Sequence, residues 1–531
     1  MNPDLKSILN ERFPSDTSIG GSSEETTNSA IRIYGRRFYK DQTPVEYLAE
    51  LLLVFISKKG DGRINENSFT LEDDGQAQYW PKDGLGLKLF SFFPSSKLET
   101  RHAVHQEKYI EAVESIKDNI EGSATEKDDG VRVVQSLLAG FTGVAKNRTW
   151  VTHSFLPAST SLISRELAWQ HTKARKQDLR DWEDSKQYFS HDGHLFMARG
   201  GESLFLQLAN MFSGDAQVHK TINDLLQRSE YKHLSKFDVT ALKCSLEENL
   251  TELLNKSMQG MESLTSFIEH NLGDTTPFST EKRATLGWVP KSTVPEAFLF
   301  AVELQNICSS SLSELDKLDV MQQLCCLQVL RSLSFQSQRV DNEYSSTKGF
   351  AGNYVWVASN PESSRYSATR KLSQSSLEKI EEKLYRVLRN VHAELGQTSD
   401  SRSLRQADDH GFKIFRKIGK EIGLVIPKTG QGQRFVMPPH LLKVLVAATL
   451  SPGERVRLTE FYNRVFAHFG IALAGQQLSS ALEWISSESG DKNYALSSES
   501  QWIEEALKQG GFLVELSDAV SIVQNPGSKE V

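Results

Sequence analysis

The chain has 531 residues, of which 38% are hydrophobic and 24% charged, and its formal net charge is −7. That length holds two to four domains of the usual size, and the composition excludes a chain disordered throughout. With a negative total, any contact with a polyanion has to come from locally concentrated base.

Residues 1–30 read as a mobile tail, because Ser15 to Ser29 is rich in Ser, Thr and Glu and offers almost nothing to bury. The first six residues contain no apolar signal region. The longest apolar run, Leu51 to Ile56, falls far short of the roughly 20 residues that cross a bilayer. A cytoplasmic protein without membrane contact is therefore expected. Cys244, Cys308, Cys325 and Cys326 are too few and too irregularly spaced for a disulfide framework and fit a reducing compartment, so the acceptor-like sequences at Asn147 and Asn249 are read as coincidence.

Residues 31–130 predict a mixed α/β region. Ile31 to Gly35 alternates like a short strand, and Thr43-Pro44 opens a helix with Tyr47, Leu48, Leu51, Leu52 and Phe55 on one stripe. A Gly/Pro/aromatic section to Pro94 predicts short strands or ordered loops. Helices are expected at 107–120 and 131–143, with a polar turn at 121–130 between them. Arg32, Arg36, Arg37 and Lys40 interleave with Tyr34, Phe38 and Tyr39. Such a patch either stacks bases or, the favoured reading, anchors its aromatics in the protein's own core.

Residues 131–396 predict a helical central domain, with helical spacing over 158–268 and 294–333, a connector at 271–293 and a surface loop at 348–370. The clearest helix starts at a capping box of Ser375 and Glu378, runs through Leu377, Ile380, Leu384, Leu388, Val391 and Leu395, and closes at Gly396. Residues 397–409 read as a linker.

Residues 410–531 form the C-terminal region. Phe412, Phe415, Ile418 and Ile422 give a helix whose other side carries Lys413, Arg416, Lys417 and Lys420. Pro427 to Gln433, between two β-like segments, reads as a hairpin with a glycine-rich tip. An apolar helix from Leu441 follows. Helices at 458–469, 475–488 and 500–509, then strands at 512–516 and 519–523, give the element order of a winged helix. The fold class is thus mainly α: a multidomain helical protein with small α+β elements near the N-terminus and a winged-helix-like C-terminal region.

From Gly411 to Gly470 ten Lys or Arg face three acids, a balance of +7, so the rest of the chain sums to −14. This window reads either as an ordinary solvated or partner-facing surface, the slightly favoured reading, or as a nucleic-acid contact with candidate residues Lys413, Arg416, Lys417, Lys420, Lys428, Arg434, Arg455 and Arg457. Residues 471–531 carry nine acids against three bases. The winged-helix-like part should therefore face protein or pack internally.

Catalytic patterns are sparse. Gly140 to Lys146 has the ingredients of a phosphate-binding loop at the wrong spacing, and no Gly-x-Ser-x-Gly elbow occurs. His191-Asp-Gly-His194 could ligate a divalent ion only with further ligands, and His102 and His105 face the same objection. Glu381-Glu-Lys383 has the letters of a nuclease motif but sits within a helix. Trp150, Trp169 and Trp182 look like packing. No catalytic residue, metal site or cofactor is assigned.

Arg36 to Leu48, Asn147-Arg-Thr-Trp150 and Gly423 to Phe435 together resemble accessory, non-helicase components of bacterial multigene antiphage defence systems of the Druantia type. The resemblance covers a small part of the chain. It implies a bacterial cytoplasmic protein acting beside other defence subunits, among them a helicase or ATPase, with DNA a candidate ligand. The expected function is an accessory subunit that binds nucleic acid, or a nucleic-acid-bound partner, without catalysis of its own. The alternative is a divergent metal-dependent nuclease of the same kind of system.

Overall fold

The computed structural model describes residues 7, 9–15, 28–35, 38, 42–60, 66–71, 78–92, 102–141, 149–174, 176–190, 200–256, 259–273, 283–341, 347–396, 401–486, 500–515 and 521–526. Capping decides the first element. Ser29–Tyr34 is a helix, α1, and not the strand that its alternation suggested. Asn28 Oδ1 accepts the Ala30 amide hydrogen at 3.0 Å, and Gly35 stops the helix at φ 95°. A Cβ on Gly35 would lie 2.5 Å from the Trp288 carbonyl oxygen. The expected tail is also partly ordered, since Leu9 is buried and Arg12–Phe13 pairs with Val289–Pro290; residues 16–27 lie outside the described residues.

Helix α2 (Pro44–Ile56) starts as expected. The Glu46 carboxylate accepts the Thr43 backbone N–H at 2.7 Å and its hydroxyl at 3.0 Å. Every residue from Glu46 to Ile56 is buried, which places α2 inside the molecule. It packs on α3 (Gly200–Met211), buried along its whole length. Glycine makes the approach: a Cβ on Gly201 would stand 2.5 Å from the Tyr47 carbonyl oxygen. Glu50 fastens the contact by accepting the Gly201 N–H at 2.6 Å.

Helices α4 (Val294–Cys308) and α5 (Glu314–Asp341) complete the centre, and α5 touches α2, α4 and α6 (Ala368–Glu394). Helix α6 begins at Ser367 rather than Ser375, because the Ser367 hydroxyl caps the Arg370 amide. Gly396 follows its end at φ 67°. The residues expected to be a linker include a helix, α7 (Ser401–His410), pinned by buried Ala407 and by Arg389 Nη2 on Asp408 Oδ2 at 3.0 Å. From 158 to 190 the expected helical spacing yields only short turns, the short helices His171–Ala174 and Trp182–Lys186, and the strand pair Ala168–Trp169 with Phe189–Ser190.

The C-terminal region contains α8 (Phe412–Glu421), the hairpin β1 (Val425–Ile426) and β2 (Arg434–Phe435), and α9 (Pro439–Thr449). It continues through β3 (Arg455–Arg457), α10 (Leu458–Phe469), α11 (Gln476–Ser486), α12 (Gln501–Gln509), β4 (Leu513–Glu515) and β5 (Ser521–Gln524). The three strands make an antiparallel sheet in the order β3-β5-β4, with Arg455 opposite Gln524 and Val514 opposite Ile522. Helix α9 packs on α10 and α12, and also on α4 and α5. One hydrophobic cluster consequently extends from Leu9 to Val523. The protein is mainly α, with only small sheets. Among the described residues no helix is long and apolar enough to cross a membrane.

Candidate polyanion-binding surface

Helix α8 has the two faces that its spacing demands. Ile414, Phe415 and Ile418 are buried, and Gly419 lets Val425 approach. Its basic face is largely neutralised. Lys413 Nζ lies 2.9 Å from Asp409 Oδ1. Arg416 forms a fork with Glu381, Nε to Oε1 at 2.7 Å and Nη2 to Oε2 at 2.5 Å, which raises the guanidinium pKa. Lys417 Nζ is 3.6 Å from Glu421 Oε1. Burial raises the pKa of Glu421 while Lys417 opposes the shift. Only Lys420 on this face has no ion pair to a described residue.

The hairpin separates its two candidates. Lys428 is exposed near the glycine-rich tip. Arg434 is 4% exposed and donates from Nη2 to the Pro361 carbonyl at 2.9 Å. As the first residue of β2, it turns inward toward the loop before α6. Burial, and secondarily the charge of Arg370, lower its pKa.

Strand β3 is different. Val456 is directed into the core, and the two-residue period sends Arg455 and Arg457 out to solvent. Arg455 Nε donates to Gln524 Oε1 at 3.1 Å. Neither arginine forms an ion pair with a described residue.

The expected single basic face is therefore corrected. Lys413, Arg416 and Lys417 are paired, as are Lys443 with Asp316 and Arg464 with Glu454 and Glu460. Asp409, Glu381 and Asp316 lie outside the 411–470 window, so the local charge count could not include them. Arg434 is buried. Of the eight candidates, Lys420, Lys428, Arg455 and Arg457 reach solvent and have no ion pair with a described residue.

The other sequence candidates fall into structural roles or outside the described residues. His102 Nδ1 accepts the Val104 N–H at 3.4 Å as a helix cap, and His105 is buried with its ring centroid 4.4 Å from that of Trp169. Trp150 and Trp182 pack in the same cluster. Tyr34 is buried with its hydroxyl 2.8 Å from Ser337 Oγ, and Phe38 is buried as well. Arg36, Arg37, Tyr39, Lys40, residues 142–148 and His191 to His194 lie outside the described residues. Glu381 is the partner of Arg416, and Lys383 Nζ donates to Gln338 Oε1 at 2.7 Å. Among the described residues no group of three His, Cys, Asp or Glu side chains could hold a metal ion.

One ionic network had no sequence signal. Arg331 grips Glu303 through Nη1–Oε1 at 2.7 Å and Nη2–Oε2 at 2.8 Å, and its Nη1 also donates to the His468 carbonyl at 2.9 Å. His468 Nδ1 lies 2.8 Å from Glu303 Oε1, and its Nε2 lies 3.0 Å from His233 Nε2. Glu303, Arg331 and His468 are 0% exposed. His233 reaches a cleft of about 440 Å³ that Arg464, Glu230, Lys232 and Glu483 help to line. Burial, reinforced by His468, lowers the His233 pKa to about 2, and burial also lowers that of His468. The pair is therefore neutral at ordinary pH and acts as an internal brace between α4, α5 and α10.

Comparison with known proteins gives no match: no family model, no curated protein and no solved structure aligns with the chain.

Proposed function

We propose that the chain is a non-catalytic accessory subunit of a bacterial antiphage defence assembly, and that its C-terminal module is a winged-helix-like element touching nucleic acid or a nucleic-acid-bound partner. The sheet order β3-β5-β4, with α9, α10 and α12 as the three helices and α11 inserted before the third, supports the winged-helix-like reading. The observation that carries the contact is the outer face of β3. There Arg455 and Arg457 stand exposed, two residues apart and without acidic partners among the described residues. Spaced in this way, guanidinium groups meet successive phosphates through charge and hydrogen bonds.

Helix α12 carries the opposite charge. Glu504 and Glu505 would repel phosphate, so this helix faces a protein partner, for which the resemblance suggests another defence subunit such as a helicase or ATPase. Lys420 and Lys428 add positive charge beside the hairpin. Electrophoretic mobility shifts of a DNA duplex and a single strand at low salt test the reading. The variant Arg455→Glu/Arg457→Glu should weaken binding at least tenfold, whereas Lys413→Glu, whose lysine is already paired, should change it much less. Absence of binding by the wild-type chain, or an equal effect of both variants, overturns the nucleic-acid reading.

A further inference from the structure

Two guanidinium groups meet at one loop and neither is paired with a carboxylate among the described residues, Glu362 of that loop being exposed. Residues 360–367 connect the Ser359 bridge to the start of α6. Arg434 enters from β2 and donates to the Pro361 carbonyl at 2.9 Å, while Arg370, in the first turn of α6, donates from Nη1 to the Ser363 carbonyl at 2.8 Å. Arg434 is 4% exposed and its Nε has no hydrogen-bond partner. The Ser363 hydroxyl is also shielded and unpartnered. Neither arginine has an ion pair with a described residue. The two charges are close enough for Arg370 to disfavour protonation of Arg434.

Such an arrangement is costly. A buried guanidinium needs a counter-charge or a full set of acceptors, and two neighbouring ones repel each other. The acceptors that hold them here are neutral carbonyls, and Glu362 forms no ion pair with either. The loop also meets the N-terminus of α6, a 27-residue helix whose first amides and dipole favour negative charge. Its hydroxyl-rich sequence, Ser363-Ser364-Arg365-Tyr366-Ser367, leaves Ser364 and Arg365 exposed around the position.

We infer that Arg370, Arg434 and the Ser363 hydroxyl form a binding site for a phosphate group at the N-terminus of α6. The two guanidinium forks neutralise the phosphate, Ser363 donates to one of its oxygens, and the helix amides complete the contact. Free phosphate and the phosphodiester of a nucleic acid share this chemistry. The site uses neither Arg455 nor Arg457, so it stands or falls independently of the β3 contact.

Isothermal titration of the full chain with inorganic phosphate tests the inference. One saturable site per chain is expected, with binding weakened at least tenfold in Arg370→Gln and weakened to a lesser degree in Ser363→Ala. Arg370 is half-buried, and its variant is checked for a wild-type circular dichroism spectrum. As a second readout, phosphate should raise the thermal midpoint of the wild type and not that of Arg370→Gln. Displacement of phosphate by an oligonucleotide in the Arg455→Glu/Arg457→Glu background assigns the site to a nucleic-acid backbone; retention assigns it to free phosphate, and either result supports the site. No saturable binding by the wild type, or binding undiminished in a folded Arg370→Gln, overturns it.

Discussion

Substituting Glu303 by Gln should destabilise the protein far more than its small change in shape suggests. In the wild type, both Glu303 oxygens accept from Arg331, and Oε1 also faces His468 Nδ1. Glutamine retains one acceptor oxygen but turns an amide donor toward a guanidinium that can only donate. Arg331 remains 0% exposed, held by Gln328 and the His468 carbonyl and lying over the Phe469 ring at 4.8 Å. Breaking a buried pair from one side costs about 3–5 kcal/mol, a large part of the ~5–15 kcal/mol by which native proteins are stable. Urea denaturation followed by tryptophan fluorescence reads the loss. At a slope of about 3 kcal/mol per molar, the midpoint should fall by about 1 M or more. The variant Glu303→Leu/Arg331→Met, which removes both charges, should recover at least half of that loss. A wild-type midpoint for Glu303→Gln, or a double variant no better than the single one, would refute the reasoning.

The histidine brace makes stability depend on pH. Folded His233, held down to about 2 against an ordinary value of 6.5, binds fewer protons than unfolded histidine between those limits. Its contribution is therefore complete above about pH 6.5 and declines as pH falls, by about 1.4 kcal/mol per unit. His233→Gln should flatten the unfolding free energy between pH 6.5 and 4.5 by that slope; an unchanged slope would contradict the neutral pair. Lys59, 0% exposed, donates to the carbonyls of Val54, Phe55 and Ser57 at the end of α2, and burial lowers its pKa to about 7. Lys59→Met should cost about 1–3 kcal/mol, because the Ser57 carbonyl loses its lysine donor while those of Val54 and Phe55 keep the N–H groups of Ser57 and Ser68; the same denaturation experiment measures it. Gly201→Ala should cost about 1–3 kcal/mol by forcing α2 and α3 apart, visible as a lowered thermal midpoint.

The sequence carried local decisions and concealed distant ones. Thr43, Pro44 and Glu46 fixed the start of α2 because all partners lie within one turn. The hairpin around Pro427 to Gln433 and the three late helices were legible for the same reason. Ser375 with Glu378 had the spacing of a cap, but Ser367 has the productive geometry, and spacing alone does not choose between two hydroxyls. Within the expected linker 397–409, α7 escaped notice because it rests on Arg389 of α6 and on buried Ala407 rather than on an apolar stripe of its own. Strand β3 escaped notice since three residues beside a helix show no period.

The candidate surface was legible in composition and not in arrangement. A count of bases from 411 to 470 could not anticipate Glu381 folding onto Arg416, Asp316 onto Lys443, or Arg434 turning inward. His468 and Glu303 are 165 positions apart in sequence, and neither lies in a pattern that announces an ion pair. The two arginines of β3 were present in the sequence as candidates, but their lack of acidic partners among the described residues became visible only in three dimensions.

Salt dependence of DNA binding tests the central claim most directly. Contact of the two exposed arginines of β3 with phosphates predicts a plot of log K against log salt concentration with a slope of about −2 or steeper on duplex DNA. Removing charge at Arg455 and Arg457 by substitution with Gln should bring that slope about 2 closer to zero. A slope near zero for the wild type, or one that the two substitutions leave unchanged, would contradict the account.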